Sequence, residues 1–260
     1  MLEGMYVVGF LGMVFLPIVA WIVFTRSLKL SWKLILAGGL TFIASQILHI
    51  PLVAALGSWM AGNSLLVNAI SLGLLAGIFE ETARYILFKF MFKRTRTWKE
   101  AVLVGLGHGG TEALILGVLA GVAFFTMLAY RTMDLSTVPG IAADQVELAK
   151  QQVAAYWAVP AYVPLLGFVE RIFAMCLHVS LSVMVMLALA ARKPVWFWVA
   201  LFWHALVDAV AVFAVQQIGA VGVEGIIAVF ALISVAAVFA LRSMFPAETV
   251  DAPVEPSVTV

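Results

Sequence analysis

The sequence has little charge: Asp, Glu, Lys and Arg make up 11% of its 260 residues, whereas hydrophobic residues make up 64%. A typical soluble domain has about a quarter charged residues and roughly half apolar residues. This shortage of charge excludes an ordinary water-soluble domain. It predicts an all-α protein whose solvent is the lipid bilayer, since a helix satisfies its own backbone hydrogen bonds there.

Cysteine and net charge are scarce as well. The one cysteine, Cys176, lies in an apolar run, so no disulfide can form within the chain and a packing role is predicted. The formal net charge of +1 predicts no nucleic-acid partner, because proteins that bind nucleic acid usually carry an excess of basic residues. The partner that this composition does predict is membrane lipid.

Seven apolar stretches are long enough to span a bilayer, which takes about 20 mostly apolar residues. They predict one polytopic transmembrane helical domain over 1–245 and a disordered tail over 246–260, which combines prolines and acids with small residues. The predicted spans are 4–25, 34–56, 65–88, 101–129, 161–190, 195–215 and 218–241.

The basic residues alternate along these spans. Cytoplasmic loops carry an excess of Lys and Arg, and only Arg131 and Lys150 lie in the loops on the other side. This pattern predicts an external N-terminus and a cytoplasmic C-terminus. The basic residues on the predicted cytoplasmic side are Arg26, Lys29, Lys33, Lys89, Lys93, Arg94, Arg96, Lys99, Arg192, Lys193 and Arg242.

Several spans contain ionisable residues, which cost at least about 2.5–3.5 kcal/mol each near the centre of a bilayer. Residues of this kind usually face a protein interior, where they pair with one another or take part in chemistry. The polar and ionisable residues within the spans are Gln46 with His49, Glu80 with Glu81 and Arg84, His108 with Glu112, Glu170 with Arg171 and His178, and His204 with Asp208.

The depth of these residues predicts a shared site. Glu80, His108, His178 and His204 lie nine to fourteen residues from the nearest predicted cytoplasmic basic residue of their spans. At 1.5 Å per residue this places all four roughly 14–21 Å below the basic residues. Spacings of three or four residues put each group on one helix face. We therefore predict one polar chamber, and we expect it to open toward the cytoplasm.

Three motifs, in this order, resemble the glutamic-type intramembrane protease clan, which includes the type II CAAX prenyl endopeptidases and the PrsW proteases. Within that clan the chain resembles the bacterial YhfC family. The resemblance covers 65–215. It differs from the CAAX type in the position of the arginine and in Val104, where that type has an aromatic residue. The motifs are Glu80-Glu81-x-x-Arg84, His108-x-x-x-Glu112 and His204-x-x-x-Asp208.

The resemblance implies a multi-pass peptidase of a prokaryotic plasma membrane that hydrolyses a membrane-associated peptide or protein. It implies that Glu80 or Glu81 activates water and that Arg84 holds this glutamate pair. Histidines would assist proton transfer or stabilise the oxyanion, with Asp208 as an orienting partner. The full set of catalytic candidates is Glu80, Glu81, Arg84, His108, Glu112, His178, His204 and Asp208.

Metal use stays open at this point. The preferred mechanism has no cofactor, but the sequence also contains residues that could bind zinc, which accepts His nitrogen and carboxylate oxygen. An HExxH motif is absent, which excludes a zincin helix. The candidate ligands are Glu81, His108, His178 and His204.

Two other classes of protein use buried acids and histidines. A proton- or cation-coupled transporter predicts polar groups that continue from one side of the membrane to the other. A non-catalytic cofactor holder, such as a haem protein using His178 and His204, does not need the glutamate pair. Whichever class applies, we interpret Glu170-Arg171 as a structural ion pair. We interpret Gln46 and His49 as gate or packing residues.

The glutamate pair gives a direct test of the hydrolase hypothesis. Glu80→Gln or Glu81→Gln is expected to abolish cleavage of a membrane peptide by the purified protein, because the base is lost while the shape is kept. Cleavage and folding are both measured. Full activity in both variants contradicts a glutamate mechanism.

Overall fold

The computed structural model describes residues 1–91 and 96–246, and the tail predicted to be disordered lies outside these residues from 247 onward. Over the described residues the chain is helical, which confirms the predicted fold class. Three short 3₁₀ turns, Leu135–Thr137, Ala143–Gln145 and Leu241–Met244, accompany the α-helices. The α-helices are α1 (Leu2–Leu28), α2 (Lys33–Ala55), α3 (Gly57–Ala61), α4 (Leu65–Phe90), α5 (Trp98–Tyr130), α6 (Val146–Trp157), α7 (Val163–Ala190) and α8 (Val195–Ala240).

Local capping sets the start of α5, the helix that carries His108. The Thr97 hydroxyl accepts a hydrogen bond from Glu100 N at 3.3 Å, and the Glu100 carboxylate accepts one from Thr97 N at 2.9 Å. This capping box satisfies two backbone N–H groups that a helix start leaves without partners. The depth of His108 in the bundle follows from this start.

Six of the helices, α1, α2, α4, α5, α7 and α8, are long and apolar enough to cross a membrane. Their outer faces present large apolar side chains, such as Ile47 and Leu232, at 67% and 71% exposure. Exposed apolar surface on this scale is expected where lipid tails replace water. The helices therefore form the polytopic bundle that composition predicted.

The last helix accounts for two of the seven predicted spans. α8 has 46 residues, roughly 69 Å of helix, more than twice the 30 Å of a hydrocarbon core. Its helical backbone is interrupted at Gly219, with φ 73° and ψ 173°. Trp203 Nε1 then donates to Ser234 Oγ at 3.1 Å, and Ala214 and Val223 pack in one cluster. The helix thus folds back into a hairpin with a first arm, 195–218, and a returning arm, 220–240.

The two ends of the bundle differ in charge. At one end, called the basic end below, Trp98 Nε1 donates to Val238 O at 2.7 Å, and the Arg242 guanidinium lies 5.1 Å from the Trp98 ring. At the other, called the opposite end, Arg131 pairs with Glu3 at 2.9 Å. This arrangement agrees with the alternation of basic residues along the chain, and the orientation in the membrane stays a prediction.

Apolar side chains fill the bundle between the site described below and the basic end. Leu103, Val104, Leu181, Val185 and Leu187 are fully buried there. Such interiors are packed as closely as organic crystals. The basic half is therefore a dry core rather than a chamber.

Small residues bring α2 against α5. A Cβ added to Gly107 would lie 2.8 Å from the Ile35 Cα, and one added to Gly38 would overlap the Val104 backbone. Glycines at such positions allow close helix contacts in membranes. As a result Thr41, about one turn beyond Gly38, reaches His108.

The hairpin gives a test of the fold. Gly219 occupies a backbone region that is essentially restricted to glycine, so Gly219→Ala is expected to cost about 1–3 kcal/mol of stability. Because an added Cβ there meets no atom within 4 Å, the effect reports backbone conformation alone. Thermal unfolding in detergent measures it. Gly225→Ala is the control, since it adds a methyl into open space at helical φ; equal melting temperatures for both variants would contradict the hairpin.

Candidate active site

Four helices bring the predicted site residues together in the middle of the bundle. α4, α5, α7 and the first arm of α8 each contribute one or more of them. All eight candidates belong to one connected group of hydrogen bonds and ion pairs: Glu80, Glu81, Arg84, His108, Glu112, His178, His204 and Asp208.

Glu80 lies at the centre of this group and is 6% exposed. Its Oε2 is 2.9 Å from His108 Nε2 and 3.9 Å from His204 Nε2. Its Oε1 accepts a hydrogen bond from Gln46 Nε2 at 3.1 Å. One oxygen of Glu80 therefore faces two histidines, while α2 holds the other.

Glu81 has a different environment, although it is the next residue. It is fully buried, and its Oε1 accepts hydrogen bonds from Arg84 Nη1 and from His204 Nδ1, the latter at 2.8 Å. Arg84 is also fully buried, and its Nη2 donates to His178 Nδ1 at 2.7 Å. Glu81 thus supports His204 from behind, and Arg84 balances its charge.

His108 is hydrogen-bonded at both ring nitrogens. Its Nδ1 lies 2.8 Å from the Thr41 hydroxyl, and its Nε2 lies 2.9 Å from Glu80 Oε2. The Thr41 hydroxyl also donates to Gly38 O when its proton points there, at 2.6 Å. A carboxylate only accepts, so a proton on His108 Nε2 is donated to Glu80.

The hydrogen bonds of His204 identify its free nitrogen. Its Nδ1 donates to the Glu81 carboxylate, so in the neutral ring Nε2 carries the lone pair. That Nε2 lies 3.5 Å from Asp208 Oδ2 and 3.9 Å from Glu80 Oε2. A carboxylate behind a histidine is the usual support of a metal ligand. The Nε2 atoms of His108 and His204 thus converge on Glu80 Oε2, which also lies 3.8 Å from Arg84 Nη2.

His178 connects the site to a second ion pair. Arginine has no acceptor, so His178 Nδ1 accepts from Arg84, and its Nε2 donates to Glu112 Oε2 at 2.6 Å. Glu112 also accepts from Arg171 Nη1 at 2.6 Å, and Arg171 pairs with Glu170. Glu170-Arg171 is therefore an ion pair, as interpreted from sequence, and it is bonded to the site through Glu112.

The histidine and carboxylate atoms fit a divalent metal ion. Donor atoms of Glu80, His178 and His204 lie within 4.8 Å of one another, and His108 contacts Glu80 beside them. Zinc binds this mixture of His nitrogen and carboxylate oxygen. The sequence assigned Glu81 to the ligand set. The structure instead places Glu80 among the histidines and Glu81 behind His204.

Sequence reasoning missed two residues near the site. Thr41 contacts His108, but a threonine in a span carries no signal of its own. Glu224, on the returning arm, is an intramembrane acid that its charge could have revealed. It lies within electrostatic range of Glu170 and Arg171, and its Oε2 is buried without a hydrogen-bond partner among the described residues.

A cavity of about 90 Å³ adjoins the histidines and Glu80. Asp208 lines it, and Ile227 and Phe230 of the returning arm form an apolar wall. It continues along α7 to Glu170, in the half of the bundle near the opposite end. The predicted chamber opened toward the basic end, whereas this cavity extends from the site toward the opposite end, and close-packed apolar side chains of α5 and α7 lie between the site and the basic end.

The fold and site together define a polytopic membrane protein with a buried glutamate–histidine centre in its core. The chain belongs to the family described as YhfC intramembrane metalloprotease, which matches residues 12–231. This confirms the family inferred from the three motifs. The chain is also similar to "Uncharacterized membrane protein YhfC" of Bacillus subtilis (strain 168), with 32% identity over 170 residues. The match covers 62% of this chain and 64% of that protein, and no solved structure matches.

The buried arginine gives a test of this geometry. Arg84→Met leaves the buried Glu81 carboxylate without its countercharge, and breaking such a pair typically costs about 3–5 kcal/mol. We expect a large drop in the melting temperature measured in detergent. The matched control is Arg131→Met, which breaks the half-exposed pair with Glu3 and should change stability by no more than about 1 kcal/mol. Equal effects of the two changes would refute a buried Glu81–Arg84 pair.

Proposed function

We propose that this protein is an intramembrane metallopeptidase that hydrolyses a peptide bond in a membrane-associated peptide or protein. The observation that carries the proposal is the convergence of three atoms that can bind a metal, His108 Nε2, His204 Nε2 and Glu80 Oε2. The family description supports both the peptidase activity and the use of a metal.

The residues that would hold the metal are Glu80, His204 and a third ligand from the two flanking histidines. Glu80 and His204 lie together in the donor set. His178 belongs to the same set, although both of its ring nitrogens are hydrogen-bonded to other residues. His108 contacts Glu80 directly through its Nε2. A bound zinc ion acts as a Lewis acid and lowers the pKa of its water.

Asp208 is the residue best placed to accept a proton from the attacking water. It lines the cavity, its side chain is 36% exposed, and it lies 3.5 Å from His204 Nε2. Glu81 is unsuited to this role because the residue is fully buried. Its Oε1 also already accepts hydrogen bonds from Arg84 and His204. Asp208 then returns the proton to the leaving amine, as a general base and acid does in amide hydrolysis.

A glutamate mechanism without metal would use the same site differently. Of the two glutamates, Glu80 lines the cavity and Glu81 does not, so Glu80 would be the base. Metal content separates the two mechanisms. A metal-free protease contains no zinc, so a histidine substitution would lower its activity without changing its metal content.

A coupled transporter fits this structure less well. Transport needs polar groups that continue to both ends of the bundle. In the described part of the chain, buried apolar residues such as Leu103, Leu181 and Leu187 occupy the half between the site and the basic end. The site is therefore built as a pocket with one open side, which suits hydrolysis.

Metal analysis tests the proposal. Purified protein should contain about one zinc per chain, and His204→Ala and Glu80→Gln should each remove most of it. Loss of a residue that only supports a metal ligand already costs about 10–100-fold in affinity, and loss of a ligand should cost at least as much. Mass spectrometry of the purified variants measures the zinc. A chelator should abolish cleavage of a membrane peptide, and added zinc should restore it.

His49→Ala is the control for these variants. His49 bonds to Gln46 rather than to a member of the donor set, so its removal should leave the zinc in place. Stoichiometric zinc in His204→Ala, or full cleavage by chelated protein, would reject the metal site.

A further inference from the structure

We propose that water and substrate reach the site from the opposite end of the bundle, between α7 and the hairpin of α8. Only the identity of the occupant as a peptide rests on the proposed function. The entrance itself follows from exposure, packing and the position of the cavity.

The first observation is the direction of the cavity along α7. Its lining continues from His178 back to Glu170, eight residues or roughly 12 Å at 1.5 Å per residue. On the first arm of α8 it runs from His204 to Ala211. Both helices carry it toward the end where Gly219 turns the chain, and α7 begins at that same end.

Side-chain exposure rises in the same direction. His204 and His178 are 3% and 4% exposed, Glu112 is 19%, and Asp208 and Glu170 are 36% and 39%. The metal donors are thus at the closed end of the cavity. The acids that surround its mouth lie nearer the opposite end.

The interior between α5 and α7 is closed toward the basic end. From Leu181 to Leu187, α7 is buried at every position, and Leu103 and Val104 of α5 pack against it with no exposed surface. An interior packed in this way leaves no room for water. A groove between α2 and α4 lies in the same half, but none of the metal donors lines it. A route from the basic end between α5 and α7 would have to unpack the main core.

The returning arm is the wall that can move. At the basic end Trp98 and Trp203 hold it through hydrogen bonds to Val238 O and Ser234 Oγ. Near Gly219 the buried packing that the described residues show is the small cluster of Ala214, Val223 and Ile227 with four partly buried neighbours. A cavity of 90 Å³ is well below the roughly 300–1,000 Å³ of typical ligand pockets, so a peptide must widen it. The weakly held part of the wall lies at the mouth.

The substrate class follows from this entrance. The peptide must approach the donors from the half of the membrane next to the opposite end. With the predicted orientation this is the external half, so the substrate is a membrane-associated peptide or span that presents its cleavage site there.

Thiol accessibility tests the entrance without any assay of hydrolysis. Cys176→Ala removes the one native cysteine, and Ala174→Cys or Ala211→Cys then places a thiol on each wall of the cavity. Right-side-out and inverted vesicles are treated with a small, charged methanethiosulfonate reagent that does not cross membranes. Thr132→Cys and Ser243→Cys, exposed at the opposite and basic ends, identify which side the reagent reaches.

Both cavity thiols are expected to react with the reagent in the vesicles in which Thr132→Cys reacts. They are expected to remain unmodified in the vesicles in which Ser243→Cys reacts. Two controls should not react from either side. Ile172→Cys places a thiol on the face of α7 that is exposed to lipid, which the charged reagent does not enter, and Val185→Cys places one in the packed core. Reaction from the Ser243 side, or from neither side, overturns the entrance.

The result is independent of the proposed hydrolysis. Reaction from the Thr132 side in a protein that binds no zinc and cleaves no peptide would refute the peptidase and keep the entrance. A zinc-dependent peptidase whose cavity thiols react from the Ser243 side would refute the entrance and keep the peptidase.

Discussion

The buried Arg84 guanidinium is the charge on which the site depends. A cation in the core of a membrane bundle is costly unless acceptors surround it. Arg84 meets that requirement by donating to Glu81 and to His178. These two bonds fix Glu81 as the acceptor for His204 Nδ1 and fix the tautomer of His178, so the hydrogen bonding of both histidines follows from one arginine.

This arrangement explains why two adjacent glutamates have different tasks. Glu81 is one residue further round α4, faces the arginine and supports a histidine. Glu80 faces the cavity and the Nε2 atoms of His108 and His204. The two glutamates of the motif are therefore a ligand and its support in the proposed metallopeptidase.

The hairpin of α8 decides how the centre meets its surroundings. Because Gly219 reverses the chain, the first arm supplies His204 and Asp208, and the returning arm covers them with Ile227 and Phe230. The core between the site and the basic end is dry, and the charged mouth lies at the other end. A protein built this way admits water from one side while the opposite half supplies most of the packing.

Sequence alone determined the helical bundle, the family and a set of eight residues that the structure joins in one group, because hydrophobic length, the spacing of charges and helical periodicity are local properties. It could not assign Glu80 and Glu81 to different roles, find Thr41, or say which way the cavity opens. Those features depend on which side chains of other helices lie opposite each group, as when Gly38 and Gly107 bring Thr41 to His108. Only the packing of α2, α7 and the returning arm decided them, since a helix pattern specifies a face but not its neighbour.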